Sequence, residues 1–123
     1  MSSLSVLIVE DEILLQDVYK LVLLSRGYTV HTANNGKEGI IQLKAHVPDV
    51  VLLDIFMPVM DGKEFLNNVD IDAYPATKFI VYSNLSDASI EREMLELGAD
   101  KVILKSSMAP RDLVLLVSQY EVS

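Results

Sequence analysis

No cysteine occurs in the chain, so it has no disulfide framework, no thiol nucleophile and no thiolate metal site. Basic residues are few: 10 Lys and Arg stand against 18 Asp and Glu, for a formal charge of −8. They form no cluster, which argues against the chain holding nucleic acid by itself. A long hydrophobic run is missing too. Met1–Val9 has no basic start, and its apolar stretch is only Leu4 to Val9 with Ser5 inside, too short for a signal peptide or a membrane span. Proline (4) and glycine (5) are thinly spread, with no linker, no low-complexity tract and no repeat beyond an alternation of strands and helices. What is there is half hydrophobic over 123 residues, enough for one full core. The expectation is a single domain over residues 1–123, soluble and cytoplasmic, with no membrane and no nucleic-acid partner.

The chain is organised around Val50–Gly62, VVLLDIFMPVMDG. Val50 to Leu53 is a continuous apolar run, as expected of a strand buried on both faces of a parallel sheet. It stops at Asp54, a charge that belongs at the strand's carboxyl end. Pro58 stiffens the loop beyond, and Asp61-Gly62 is a turn signal. Taken alone, Asp54 reads equally well as a cap for the next helix.

Ser5–Val9 (SVLIV) is a second buried-strand run, ending in Glu10, Asp11 and Glu12. A helix is predicted over Glu12–Arg26, closed by Gly27 as a left-handed cap. On an ideal wheel Leu14, Leu15, Val18, Tyr19, Leu21 and Val22 share one arc, the expected core face, while Ile13, Leu23 and Leu24 fall among polar residues. Tyr28–Ala33 alternates as an edge strand does. Asn35 caps the next helix, with Glu38 at the capping-box position, and Pro48 stops it. After the Asp54 strand come a short helix Lys63–Val69 and a loop Asp70–Ala76. Lys78–Tyr82 (KFIVY) is the fourth strand and delivers Ser83-Asn84. Asp87–Leu97 is a helix capped by Ser86 or Asp87 and ended by Gly98. Lys101–Leu104 (KVIL) is the fifth strand and delivers Lys105. The last helix is Pro110–Tyr120, with Leu113, Leu116, Val117 and Tyr120 inward and Val114 and Leu115 outward, beside the Asp87–Leu97 helix.

Five strands alternating with five helices give an α/β fold, a doubly wound parallel sheet with right-handed crossovers. The apolar strands one, three and four belong at its centre and the second at an edge. That suits the flavodoxin-like order 2-1-3-4-5, with its switch point between strands one and three. Glu10, Asp11 and Asp54 then leave neighbouring strands about 4.8 Å apart. Three carboxylates so close repel, so one is protonated or a cation joins them, and hard oxygens suit Mg²⁺ far better than zinc or copper. Strand four adds the Ser83 hydroxyl and strand five the Lys105 ammonium. Cation, lysine and hydroxyl around one carboxylate make a holder for a dianion, phosphate above all, with Asp54 as the nucleophile that forms an acyl phosphate. Singly, each residue has a duller role: Asp11 as a helix cap, Ser83 as a strand-end hydroxyl, Lys105 as a solvated surface lysine. Their coincidence at one sheet edge carries the functional reading.

The chain resembles a response-regulator receiver domain of two-component signalling (CheY-like) along essentially its whole length. The acidic pair is Glu10-Asp11 within LIVEDE, the acceptor is Asp54 within PDVVLLDIFMPVMDG, the hydroxyl position is Ser83, and the lysine is Lys105 within VILKSS. The resemblance implies that Asp54 takes a phosphoryl group from a sensor histidine kinase or phosphotransfer protein. It also implies that Mg²⁺ is bound by Asp11, Asp54 and the Phe56 carbonyl, with Glu10 acting through water. The conformational change that follows would address a downstream protein or a phosphorylation-linked homodimer. Such a protein is a phosphoacceptor rather than an enzyme, with Mg²⁺-dependent self-phosphorylation and slow autodephosphorylation. Slowness is expected because Phe56 and Leu85, two residues beyond Asp54 and Ser83, can neither orient a water nor take its proton.

The chain departs from the family pattern at three points. Ser106 follows the lysine where proline is usual, and a cis bond without proline costs about 3 kcal/mol, so this loop is open to a different path. Val102 stands where many receivers carry a switching aromatic. Asn84 replaces a smaller residue beside Ser83. Rival readings fit less well. A haloacid-dehalogenase-type phosphatase needs a second Asp where Phe56 stands. A dinucleotide-binding module needs glycines that Glu10–Leu15 lacks. A histidine phosphocarrier is disfavoured because His31 and His46 lie away from the acids. The alternative that remains is a pseudo-receiver, a protein-interaction module that works without phosphorylation. The chain reads as a stand-alone receiver or as a piece of a longer regulator.

Overall fold

In the computed structural model, residues 4–84 and 87–121 are described, residue 107 by its backbone only. Five parallel strands form one sheet: β1 (Ser5–Val9), β2 (Thr29–Ala33), β3 (Val50–Asp54), β4 (Lys78–Ser83) and β5 (Lys101–Leu104). Their order is β2-β1-β3-β4-β5, as the hydrophobic runs predict. The helices are α1 (Ile13–Ser25), α2 (Gly36–His46), α3 (Gly62–Asn68), α4 (Ala88–Glu96) and α5 (Pro110–Ser118). Short 3-10 turns at Ile71–Ala73 and Lys105–Ser107 complete the path.

Strand residues alternate between two apolar layers. Val6, Ile8, Leu52, Ile80 and Tyr82 pack with Tyr19 and Leu23 of α1 and Leu113 and Val117 of α5. Leu7, Val9, Val51, Leu53, Phe79 and Val81 pack on the other face with Leu43 of α2, Phe65 and Leu66 of α3 and Met94 of α4. β3 is central, so all five of its residues are buried, Asp54 included. Gly27 (φ 92°) and Gly98 (φ 113°) close α1 and α4 in the left-handed region that their missing Cβ makes accessible. Asp61 caps α3 in a full capping box with Glu64. At α2 the Asn35 side chain accepts from the Glu38 N–H, but the Glu38 carboxylate takes the Asn34 N–H instead of returning to Asn35's own. Asp87 caps α4, and Ser86 lies outside the described residues.

Two expectations of facing are corrected. In α1, Leu14 is 77% exposed and Leu21 69%, with Val18 exposed as well. The inward stripe is Gln16, Tyr19 and Leu23, flanked by half-buried Leu15 and Val22. A wheel weighted by hydrophobicity turns leucines inward. Here a glutamine takes that place because its amide is satisfied, donating to the carbonyls of Glu10 (2.8 Å) and Ala33 (3.2 Å) and to Asn34 Oδ1 (3.0 Å). In α5, Val114 packs against the α1-side core instead of pointing away from it. It lines a groove with Val22 and Ser25 of α1 and the cap residue Arg26, together with Leu115, which is 64% exposed as expected of an outward residue.

Candidate functional site

The parallel register brings the acids together. Val9 pairs with Leu53, so Glu10 and Asp54 leave adjacent strands side by side. Asp54 pairs in turn with Tyr82, and Ser83 with Leu104, which places Ser83 and Lys105 beyond the same edge. One carboxylate oxygen from each of Glu10, Asp11 and Asp54 lies within 4.8 Å of the others. Lys105 Nζ stands 3.1 Å from Glu10 Oε1 and 3.4 Å from Asp54 Oδ1. Glu10 is fully buried: its Oε2 accepts the Glu12 N–H at 3.0 Å and its Oε1 accepts the Tyr82 hydroxyl at 3.1 Å. Asp11 is exposed and faces solvent at the rim.

Electrostatics follow from this crowding. Burial, reinforced by the Glu10 charge and opposed by Lys105, pushes the Asp54 carboxyl up to about 7. Asp11 is shifted upward by desolvation first, then by its hydrogen bond and charge contact with Glu10. Burial by itself would lower the Lys105 ammonium. The Asp54 and Glu10 carboxylates outweigh it and hold Lys105 above its ordinary value. Burial, then Glu10 and Asp54, raises the Tyr82 phenol well above its usual range, so it stays protonated and donates.

This donor set suits a hard dication: three carboxylates, one of them with its charge suppressed by burial, and a single ammonium between two of them. No thiol, and no imidazole among the described residues, belongs to it. The two histidines lie elsewhere, His31 on β2 stacked on His46 at the end of α2 with centroids 3.6 Å apart.

A family model for the response regulator receiver domain matches residues 6–118. The chain belongs to that family. Among curated relatives of this receiver, the chemotaxis protein CheY of Bacillus subtilis is 34% identical over 108 residues, covering 86% of this chain and 88% of that one. The probable C4-dicarboxylate response regulator DctR of Priestia megaterium is 34% identical over 103 residues, covering 82% of this chain. The receiver spans only 45% of DctR's length and 41% of a probable transcriptional regulator, ycf27, from Guillardia theta. Among solved structures, a CheY-like receiver domain protein from Methanospirillum hungatei JF-1 superposes with a TM-score of 0.86 at 30% identity, covering 96% of this chain and 93% of that one. The chemotaxis response regulator CheY4 of Vibrio cholerae gives 0.87 at 27%, covering 97% and 99%.

The structure thus brings Glu10, Asp11, Asp54, Ser83 and Lys105 to one edge, with Phe56 on the loop just past Asp54 and its side chain 57% exposed. Asn84 is exposed, and Leu85 lies outside the described residues. Val102 is half-buried against the α2–α4 layer. No described peptide bond is cis, and Lys105 opens a 3-10 turn that carries the chain past Ser106. No described helix is long and apolar enough to cross a membrane. Two site-supporting residues escape a reading of the sequence. Gln16 looks like a polar-face residue, and Tyr82 looks like one more apolar position of KFIVY. The signal for Tyr82 is chemical: a tyrosine in a strand buried on both faces needs an acceptor for its hydroxyl.

Proposed function

We propose that this receiver accepts a phosphoryl group on Asp54 from a histidine kinase or phosphotransfer protein, in a Mg²⁺-dependent reaction in the cytoplasm. The observation that carries this reading is the placement of Lys105 between Glu10 and Asp54, with Asp11 at the open side of the same cluster. Asp11, Asp54 and the Phe56 carbonyl would hold the ion directly and Glu10 through water. Bound there, Mg²⁺ supplies positive charge to the phosphoryl oxygens and relieves the crowding of the carboxylates.

An ionised Asp54 oxygen attacks phosphorus. The new O–P bond forms as the bond from phosphorus to the donor's imidazole nitrogen, or to the leaving oxygen of a small phosphodonor, breaks. The electron pair of that bond stays with the leaving group. Lys105 is within reach of Asp54 before the reaction and follows the new negative charge by pairing with a phosphoryl oxygen. Ser83 donates its hydroxyl to another. Moving Lys105 away from Glu10 and Ser83 toward the phosphoryl group disturbs the ends of β4 and β5. That disturbance is the start of the conformational signal.

The donor needs a docking face beside the site, and α1 offers one. Ile13, Leu14, Val18, Leu21 and Leu24 are all exposed and fall within a helical arc of roughly 140°, beginning three residues after Glu10. An apolar surface of this extent fits a partner helix of the kinase. The chain's own role is that of a phosphoacceptor: it phosphorylates itself from small donors and loses the group slowly.

The test is intact-mass analysis after incubation with a small phosphodonor, with Mg²⁺ and with chelator. One added phosphoryl group, dependent on Mg²⁺ and absent from Asp54→Ala, is the expected result. An unchanged mass would favour the phosphorylation-independent interaction module.

A further inference from the structure

Tyr82 has no part in the chemistry just described, yet its hydroxyl reaches the centre of the site. The residue is fully buried in β4, one position before Ser83, with its ring edge-to-face on Tyr19 at a centroid distance of 5.8 Å. It finds its acceptor across the sheet, past β3, in Glu10 Oε1 at 3.1 Å. The same oxygen holds Lys105 Nζ at 3.1 Å, and that ammonium lies 5.1 Å from the centroid of the Tyr82 ring. With the Glu12 N–H on Oε2, three donors fix a carboxylate that has no contact with solvent.

We propose that Tyr82 is a positioning residue of the phosphoacceptor site: its hydroxyl fixes the Glu10 carboxylate and, through it, the place of Lys105 beside Asp54. An oxygen shared by two donors holds each less tightly than it would hold one. Without the hydroxyl, Glu10 takes a larger share of Lys105, and the 3.4 Å contact between Lys105 and Asp54 is the one that gives way. Glu10 also loses the contact that sets its rotation, so it no longer faces the carboxylate cluster in one fixed orientation. Partners that orient a metal site from behind are typically worth about 10–100-fold in metal affinity. The metal part of this inference rests on the function proposed above, while the effect on Glu10 and Lys105 does not.

Tyr82→Phe removes only the hydroxyl and keeps the ring, and with it the apolar burial. Tyr19→Phe is the control, because it takes a hydroxyl from the same aromatic pair without removing any of Glu10's three donors. Without metal, the side-chain carboxyl ¹³C signal of Glu10 and the side-chain ¹⁵N signal of Lys105 are expected to move in Tyr82→Phe and to stay in place in Tyr19→Phe. Unmoved signals in Tyr82→Phe would overturn the proposal. In a calorimetric Mg²⁺ titration, Tyr82→Phe is expected to bind about tenfold more weakly and Tyr19→Phe like the parent. Equal Mg²⁺ affinity in Tyr82→Phe and the parent would also overturn it. A parent that takes up no Mg²⁺ would refute the metal site and leave the metal-free spectra to decide the role of Tyr82.

Discussion

Gly62 lies directly on the backbone of Asp54: a Cβ at position 62 would fall 2.4 Å from the Asp54 carbonyl oxygen and 2.9 Å from the Cα of Ile55. The Gly62 N–H donates to the Ile55 carbonyl at 2.7 Å, and the Asp61–Glu64 capping box closes the turn. The loop that leaves β3 is therefore folded back onto the strand end that carries Asp54. No flexible side-chain tip is available to yield, since both contacts are backbone.

Gly62→Ala is accordingly expected to destabilise the protein by about 1–3 kcal/mol, the usual range for overpacking. It should also slow phosphorylation, because backbone that carries Asp54 has to move. Chemical denaturation and the initial rate with a small phosphodonor read the two effects. A variant as stable as the parent would mean that this contact yields without cost.

The raised Asp54 carboxyl gives a pH signature with a definite sign. Its value is about 7 when folded, against an ordinary 3.8, so between those values the folded state binds more protons than the unfolded chain. Stability from this group therefore falls as pH rises from about 4 to about 7 and is level above. Asp54→Asn carries no such slope. Without metal its melting temperature should exceed the parent's, by a margin that widens over that window and then holds constant. Mg²⁺ should stabilise the parent more than the variant, increasingly as Asp54 ionises. A constant difference across the window would contradict the crowded-carboxylate account.

Much of this was legible in the sequence, and the exceptions have physical causes. SVLIV, VVLLD and KFIVY read as central strands because residues buried on both faces leave an unbroken apolar run. The acids that end the first two of these strands then locate the site. The facing of α1 is not legible there because hydrophobicity and burial part company: Gln16 is inward with its amide satisfied, while Leu14 and Leu21 are outward. The Tyr82–Glu10 bond was out of reach for a different reason. It joins residues 72 positions apart, on strands separated by a third, so no local pattern announces it.

The exposed leucines of α1 yield a prediction that separates docking from chemistry. Leu14→Glu and Leu21→Glu replace side chains that are 77% and 69% exposed, so stability should change by no more than about 0.5 kcal/mol. Phosphorylation by a small donor should be unaffected. Phosphotransfer from the receiver's own kinase should fall about tenfold, equivalent to 1.4 kcal/mol. Equal losses with both donors would mean that the substitutions disturb the site itself, and no loss with the kinase would place docking elsewhere.

The slow loss of the phosphoryl group proposed above predicts that the residue two positions past Asp54 controls its lifetime. Phe56 is 57% exposed on that loop and has no group that orients a water or accepts its proton. Phe56→Asn supplies an amide that donates and accepts hydrogen bonds and so orients a water without taking its proton. That gain is smaller than the about 10²-fold or more of general-base assistance. First-order loss of the group, with Mg²⁺ present and donor removed, should be faster in the variant. An unchanged lifetime would show that position 56 does not control access of water.

The central claim is that Asp54 is the acceptor, and identifying the modified residue tests it most directly. Borohydride reduces an acyl phosphate on aspartate to homoserine, so brief phosphorylation, reduction and peptide mapping convert the modified position into a stable mark. Homoserine at position 54, formed only when donor and Mg²⁺ are both present, is the predicted result. Homoserine at Asp11 or any other acid, or an unmarked peptide carrying an intact Asp54, would contradict it.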